Sequence, residues 1–486
     1  MALAGPSRRA RRRGSGGRLA AACAVAVTAC SDSAIVLRPV IDVPTDDQDA
    51  TATGLDEISL EVAHAGSTRD LVSQTFRQGQ ALEMPDVPFG DDLVIHMAGF
   101  VGSSTVAYGR TCQIAVTADT LPTPHLFFSR TVKFANLDIA PVPRTGGLGV
   151  AYLGGALLVG GTSSSGAVLD VEHFDPLTNE LHVIGSVRQR DRAVQALIGT
   201  SPPRVVVVGG LSDGDGAKFV EVLDEQRIER FDITDMARVD LTATALTDGR
   251  VMVIGGNPSG QAPLGEIDEI VSDNASFDVR KLGTALKTPR SRHTATRLGD
   301  DVGAAVLIAG GVDAIGAPVA TAELFKPLSE ELADPDKFKP TMNVPRSGHV
   351  AALMPDGSVL FIGGVDAAGN PVNMLELFSV DGGFIPAGEM PEGAGLIDFA
   401  ATTLPDGRIL LTGGRSAAGA TAQNTAYIVR LNPLDGTVDI VAADRLALAR
   451  AGHQALLLCD GTVLISGGTA AQLPAERYNP PPESRR

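Results

Sequence analysis

The sequence predicts an all-β protein built largely of one repeated sheet, with a small β-sandwich domain ahead of the repeats. Three observations carry that prediction. Glycine is abundant, 55 of 486 residues, while aromatic side chains make up only 4 % and Trp is absent; such a composition suits short strands and tight turns better than a helical bundle. Gly-Gly pairs close apolar runs at Gly160-Gly161, Gly209-Gly210, Gly255-Gly256, Gly310-Gly311, Gly363-Gly364, Gly413-Gly414 and Gly467-Gly468, at successive separations of 49, 46, 55, 53, 50 and 54 residues. Asp-Gly dipeptides at Asp248, Asp356, Asp406 and Asp460 sit between apolar runs, a strong short-range hairpin signal.

Taken in order, residues 1–29 read as an export signal. Arg8, Arg9, Arg11, Arg12, Arg13 and Arg18 precede an apolar run, Leu19–Ala29, with no acidic residue among them. Eleven residues are too few to span a bilayer, which takes about 20, and match the apolar core of a signal peptide. The run ends Val27-Thr-Ala-Cys30, which resembles the bacterial lipoprotein cleavage motif. That resemblance makes Cys30 the acylated first residue of the mature chain and Ser31 permissive for the outer membrane. The expected address is therefore the bacterial cell envelope, held by lipid alone. The whole chain carries −17, and removing the six leader arginines makes the body more negative still. A body that acidic repels phosphate backbones, so nucleic acid is excluded as a partner.

Residues 30–55 are polar and acidic and read as a flexible tether. Asp46, Asp47 and Asp49 lack the glycine and terminal Glu of a calcium loop. Residues 56–133 show short alternating runs such as Ile58–Val62, Leu93–Met97 and Gln113–Val116. About seven such strands predict a β-sandwich of immunoglobulin-like or transthyretin-like type. His64, His96 and His125 fall there at unrelated spacings and form no metal triad. Of the two cysteines outside the leader and the lipidation motif, Cys112 lies in this domain and Cys459 in the repeats. A disulfide between them is compatible with an oxidising compartment, but sequence does not bring them within bonding distance, and two separate buried thiols are the preferred reading.

Residues 134–480 hold the repeats, and 481–486 a short tail. The fullest copy runs Pro345-Arg-Ser-Gly-His349 through the Asp356-Gly357 turn to Gly363-Gly364. The strand before each Gly-Gly, as in Val205–Val208 or Val359–Ile362, is nearly uninterrupted in its apolarity, which means cover on both faces. After each pair comes a variable loop, then Glu-x-Phe/Tyr: Glu172-His-Phe, Glu229-Arg-Phe, Glu323-Leu-Phe, Glu376-Leu-Phe and Glu476-Arg-Tyr. These residues and the roughly 50-residue period resemble kelch repeats. The resemblance implies a seven-bladed kelch-type β-propeller, one four-stranded blade per repeat. The last copy lacks a fourth strand, which Arg130–Ala135 is placed to supply, closing the ring. The Trp common in kelch repeats is missing throughout.

The side chains that could carry chemistry are few. Arg290-Ser-Arg-His293, Arg346-Ser-Gly-His349 and Arg450-Ala-Gly-His453 offer three histidines at matching positions. Their repetition argues for blade architecture and against a metal site, because a catalytic set needs different residues at distinct positions. No metal and no cofactor is expected. By the kelch resemblance, Arg144, Arg190, Arg238, Arg290, Arg346 and Arg450 precede the innermost strands, near one mouth of the central channel. They either ring that mouth and focus an anionic ligand or pair with blade carboxylates such as the Glu of Glu-x-Phe. Copper oxidases built on kelch repeats need tyrosines, histidines and a Tyr–Cys crosslink, and this chain has only Tyr108, Tyr152, Tyr427 and Tyr478. Gly-x-Ser-x-Gly elbows, phosphate loops and His-Glu-x-x-His are absent. The repeats deviate at Leu211–Lys218, at Ser329–Lys337 and at Leu396-Ile-Asp-Phe399, which replaces Arg-x-x-His. The expected function is non-catalytic recognition of an envelope protein or glycan by a monomer. A carbohydrate-active enzyme of mutarotase or lyase type, and a purely structural role, stay open.

Overall fold

The computed structural model describes residues 34–44, 54–137, 141–199, 201–272, 277–338, 340–432, 434–469 and 474–482. The leader, Cys30 and most of the tail lie outside them. Strands dominate, and the described residues hold no α-helix, only two single 3-10 turns at Thr234–Met236 and Pro335–Lys337.

From residue 133 onward the strands assemble into seven four-stranded antiparallel sheets, here called blades 1 to 7 in the order of their Gly-Gly pairs. The second strand of every blade is buried along its whole length. Because side chains alternate across a strand, each second strand feeds two cores. In blade 5, Leu360 and Ile362 pack with Ile409 and Leu411 of blade 6, while Val359 and Phe361 pack with Leu307 and Ala309 of blade 4. The same division repeats between blades 3 and 4, 2 and 3, 1 and 2 and 6 and 7. It closes between 7 and 1, where Leu464 meets Ala156 and Leu158. Seven cores between seven sheets make a closed ring. Burial of each such Leu, Ile or Val contributes about 1.5–3 kcal/mol, which explains how a chain with no Trp fills its interior.

The ring is closed by an early strand. Lys133–Asn136 pairs antiparallel with Glu476–Asn479 and supplies the outer strand of blade 7. The strand is shorter than Arg130–Ala135: Arg130 belongs to the preceding domain, where Ser129–Arg130 pairs with the strand Ser104–Arg110.

That domain begins earlier than the sequence implied. Ala34–Val36 and Val40–Asp42, read above as tether, are strands paired with Asp86–Pro88 and His125–Phe127. Their alternating apolar residues Ile35, Leu37 and Ile41 join the domain core beside Leu60, Ile95 and Phe128. The main layer is one six-stranded sheet, in which Gly90–Val101 lies between Glu57–His64 and Ser104–Arg110. The second layer is made of the two short two-stranded sheets rather than one continuous sheet.

The two parts are joined covalently. Cys112 and Cys459, read from sequence as separate thiols, form a disulfide with a Cα separation of 5.0 Å across 347 residues. Cys459 sits in the hairpin turn of blade 7, which the fold lays against the end of the small domain. Nearby, Asn479 donates to the carbonyls of Tyr108 and Ser129 at 2.7 and 3.0 Å, and the Arg477 guanidinium stacks on Phe127. The His125 amide donates to the Leu177 carbonyl of blade 1. Cys459 lies in the turn between first and second strands and Leu177 in that between third and fourth strands, while Arg477 and Asn479 belong to the third strand of blade 7, which ends at Asn479. The small domain therefore covers one end of the ring near blades 7 and 1 and leaves the other end uncovered.

Candidate functional site

The six arginines singled out in the sequence are buried. Arg144, Arg190, Arg238, Arg290, Arg346 and Arg450 have relative exposures of 0–7 %, and none reaches the channel mouth as a free cation. Each ion-pairs with an acidic residue on the third strand of its own blade: Glu172, Glu221, Asp268, Glu323, Glu376 and Glu476. The register explains the pairing. In every case the acid lies directly across from the residue two before the Gly-Gly pair, as Phe361 faces Glu376 and Ile465 faces Glu476. In blade 2 this position is Glu221, opposite Val207; Glu229 of the Glu-Arg-Phe motif lies on the fourth strand and pairs with Arg204.

Each arginine also donates to the carbonyl of the first Gly of its pair, as Arg290 does to Gly310 at 3.1 Å and Arg450 to Gly467 at 2.8 Å. The acid accepts backbone N–H groups from the connection entering the blade, such as Asn343 and Val344 onto Glu376. The unit thus fixes the crossover from one blade into the innermost strand of the next. Burial pushes the Arg144 guanidinium down to about 10 and lowers Arg190, Arg290, Arg346 and Arg450 in the same sense, opposed by the paired carboxylates. Blade 6 drops the pair as a unit. Leu396 stands where the arginine would, and Tyr427 where the acid would, facing Leu411. Replacing both partners avoids leaving one buried charge alone.

The glycines are required by close approach. Gly310 has φ 64°, and a Cβ there would lie 2.7 Å from the Arg346 carbonyl and 2.5 Å from the His349 ring. In six of the seven pairs the second glycine hands its N–H to the next blade, as Gly311 does to Arg346 and, across the seam, Gly468 to Arg144.

The three histidines take part in the same joint. His293, His349 and His453 donate to or accept from Thr242, Thr294 and Thr412 of the preceding blade at 3.1, 2.9 and 2.8 Å. Burial, reinforced by the adjacent arginine, pushes all three down to about 3, so they are neutral at pH 7. They hold one blade to the next and do not converge on a point.

The more accessible charges, three exposed and Asp240 half-buried, lie two residues after the arginines. Positions 146, 192, 240, 292, 348, 398 and 452 are equivalent in the seven repeats, and all have φ between 54° and 65°. Three are Gly; the others are Arg192, Asp240, Arg292 and Asp398. A left-handed non-glycine residue costs about 1–2 kcal/mol, and such strain concentrates at functional positions. The residues form a partial inner ring at the uncovered end: the Arg292 amide donates to the Asp240 carbonyl, Gly348 to Arg292, and Gly452 to Asp398. Arg192 bonds Asp240 through Nε at 3.1 Å, and Arg415 reaches Asp398 at 3.5 Å. Arg292 is exposed, lies over Gly348 and makes no ion pair among the described residues. Below this ring the channel wall is stitched by side chains, with Gln195 donating to the Gly149 carbonyl and Thr402 to that of Ala455. The sequence carried one sign of the ring: where three repeats have Gly, four carry Arg or Asp.

No family model matches the chain, and no curated protein matches it. Among solved structures it is similar to a fungal alcohol oxidase of the AA5 family in complex with copper, at 16 % identity and a TM-score of 0.52, covering 72 % of this chain and 76 % of that one. It is also similar to the structure titled YjhT, at 15 % identity and a TM-score of 0.47, covering 63 % of this chain and 99 % of that one. The architecture is that of an all-β, kelch-type propeller. Among the described residues no group of three or more His, Cys, Asp or Glu is placed to hold a metal ion.

Proposed function

We propose that the protein is a lipid-anchored envelope protein whose propeller recognises a glycan at its uncovered channel mouth, without catalysis. The observation that carries this reading is the ring of Arg192, Asp240, Arg292 and Asp398, held in left-handed backbone where glycine would be easier. A rim that carries two arginines and two aspartates among glycines suits a hydroxylated and partly anionic ligand better than an apolar protein surface. The anchor rests on the Arg-rich leader and Val27-Thr-Ala-Cys30. Docking of the small domain at the opposite end supports a mouth that faces away from the attachment.

A second reading, a carbohydrate-active enzyme at the same mouth, draws on the Arg415–Asp398 pair in an open site and on the ring shared with an alcohol oxidase. One experiment separates the two. Full-length protein and Arg292→Gly are screened against an array of neutral and acidic glycans, and each bound glycan is then incubated with the protein and followed by NMR. Recognition predicts binding that Arg292→Gly loses, with the glycan unchanged. Conversion of the glycan favours the enzyme, and equal binding by both proteins removes the mouth from consideration.

A further inference from the structure

A cleft of about 410 Å³ opens between the small domain and the turns of blades 6 and 7. Its walls include His64, His96, Tyr108 and Arg110 from one side and Asp406 and Asp460 from the other, with the disulfide half-cystine Cys459 between them. The volume lies in the range of small-molecule sites, which favour domain interfaces.

The charges in this cleft are not balanced. Asp460 is taken by Arg477, and Asp406 by Arg408, whose Nε donates at 2.5 Å. Arg110 forms no ion pair among the described residues; its hydrogen bond is a long one, 3.4 Å from Nη2 to the Cys459 carbonyl. It lies flat on Gly461, where a Cβ would come within 3.0 Å of Nε. Gly461 at φ 81° thus leaves room for the guanidinium to reach the cleft. Two imidazoles flank it. His64 is oriented by Asp92 through Nδ1 at 2.5 Å, and His96 by the Tyr108 hydroxyl at 2.6 Å. In a chain of net −17, a guanidinium with no ion-pair partner among the described residues, next to two oriented imidazoles, offers a planar pair of donors to a negatively charged group.

We propose that this interdomain cleft binds a small anionic molecule of about monosaccharide size, bearing a carboxylate or phosphate group, with Arg110 as its anchor. The ligand would touch both domains at once and so tighten their packing around the disulfide. The site is distinct from the mouth, which lies at the other end of the ring.

The test is calorimetric titration of the full chain with glucuronate, inorganic phosphate and neutral glucose. The variants are Arg110→Gln, Arg110→Lys and, as a control for the mouth, Arg292→Gly. The proposal expects saturable binding of glucuronate or phosphate but not glucose, weakened at least tenfold in Arg110→Gln, about 1.4 kcal/mol, and unchanged in Arg292→Gly. Which anion binds distinguishes a carboxylate from a phosphate ligand. The bound anion is also expected to raise the thermal midpoint in proportion to the logarithm of its concentration. If Arg110→Gln does not fold, Arg110→Lys keeps the charge, loses the planar fork and is expected to bind severalfold more weakly. Absence of saturable binding by either anion, binding that Arg110 variants leave intact, or binding lost only in Arg292→Gly overturns the assignment.

Discussion

Arg346→Leu is the sharpest test of how the ring is held. The substitution leaves Glu376, itself fully buried, without its ion-pair partner, and takes a donor from the carbonyls of Gly363 and Met374. Removing one member of a buried pair costs about 3–5 kcal/mol. Glu376 would still accept from the Asn343 amide and side chain at 2.6 and 2.7 Å, so the lower end, about 3 kcal/mol, is expected. At about 2 °C per kcal/mol for a large domain, the thermal midpoint falls by roughly 6 °C. Blade 6 supplies the control, because there Leu396 and Tyr427 stand in place of the pair. The double variant Arg346→Leu/Glu376→Tyr should regain at least half of the loss, a coupling of about 1.5 kcal/mol or more. Thermal melts of wild type, both single variants and the double variant complete the cycle. Additive losses, with no recovery in the double variant, would show that the two side chains are not a unit.

Three further outcomes follow from the same geometry. His293, His349 and His453 have folded-state values depressed to about 3 against about 6.5 unfolded, so the unfolded chain takes up protons first and stability is lost as pH falls from about 6.5 toward 3. At pH 5 each contributes about 2 kcal/mol of that loss, and His349→Phe, copying Phe399, should make the variant about 2 kcal/mol less sensitive than wild type to the change from pH 7 to pH 5, measured by denaturant titration. Cys112→Ser/Cys459→Ser should lower stability by up to about 5–6 kcal/mol on chain-entropy grounds for so long a loop, and its melt should no longer respond to reductant as the wild-type melt does. Gly310→Ala, which drives a Cβ into the Arg346 carbonyl at φ 64°, should cost more than about 2 kcal/mol in a chemical melt, whereas alanine at Gly316, with open space around its Cβ position, should cost only the left-handed backbone term of about 1 kcal/mol.

Much of the ring was legible because its determinants are local. Each Gly-Gly pair closes a strand at the place where the next blade's backbone crosses, so the period marks the sheets directly. The candidate site was legible only in part. Arg190 and Arg192, or Arg290 and Arg292, are two residues apart and chemically identical, yet one is buried against a carboxylate and the other open. What separates them is the left-handed turn, whose flanking residues pack closely on Gly210 and Gly311 of the same blade. The Glu-Arg-Phe run at Glu229 resembles the third-strand motif in composition and sits one strand too late, on Ile228–Asp232, while the acid that meets the arginine is Glu221. The Cys112–Cys459 bond and the strands at Ala34–Val36 and Val40–Asp42 depend on contacts far along the chain, which no local pattern reports.

The position of the disulfide has a mechanical consequence. Cys112 precedes the closing strand Lys133–Asn136 in the chain, and Cys459 lies in the blade that strand completes. A pull applied toward the amino terminus, against a ligand gripped at the far mouth, would otherwise be directed along residues 113–132 into the hydrogen bonds between Lys133–Asn136 and Glu476–Asn479. With the bond in place, tension passes from Cys112 straight into the turn of blade 7. The four-residue seam is then bypassed, and the ring resists opening with a covalent link rather than with one short strand. In an oxidising compartment that arrangement makes resistance to shear a property of the redox state.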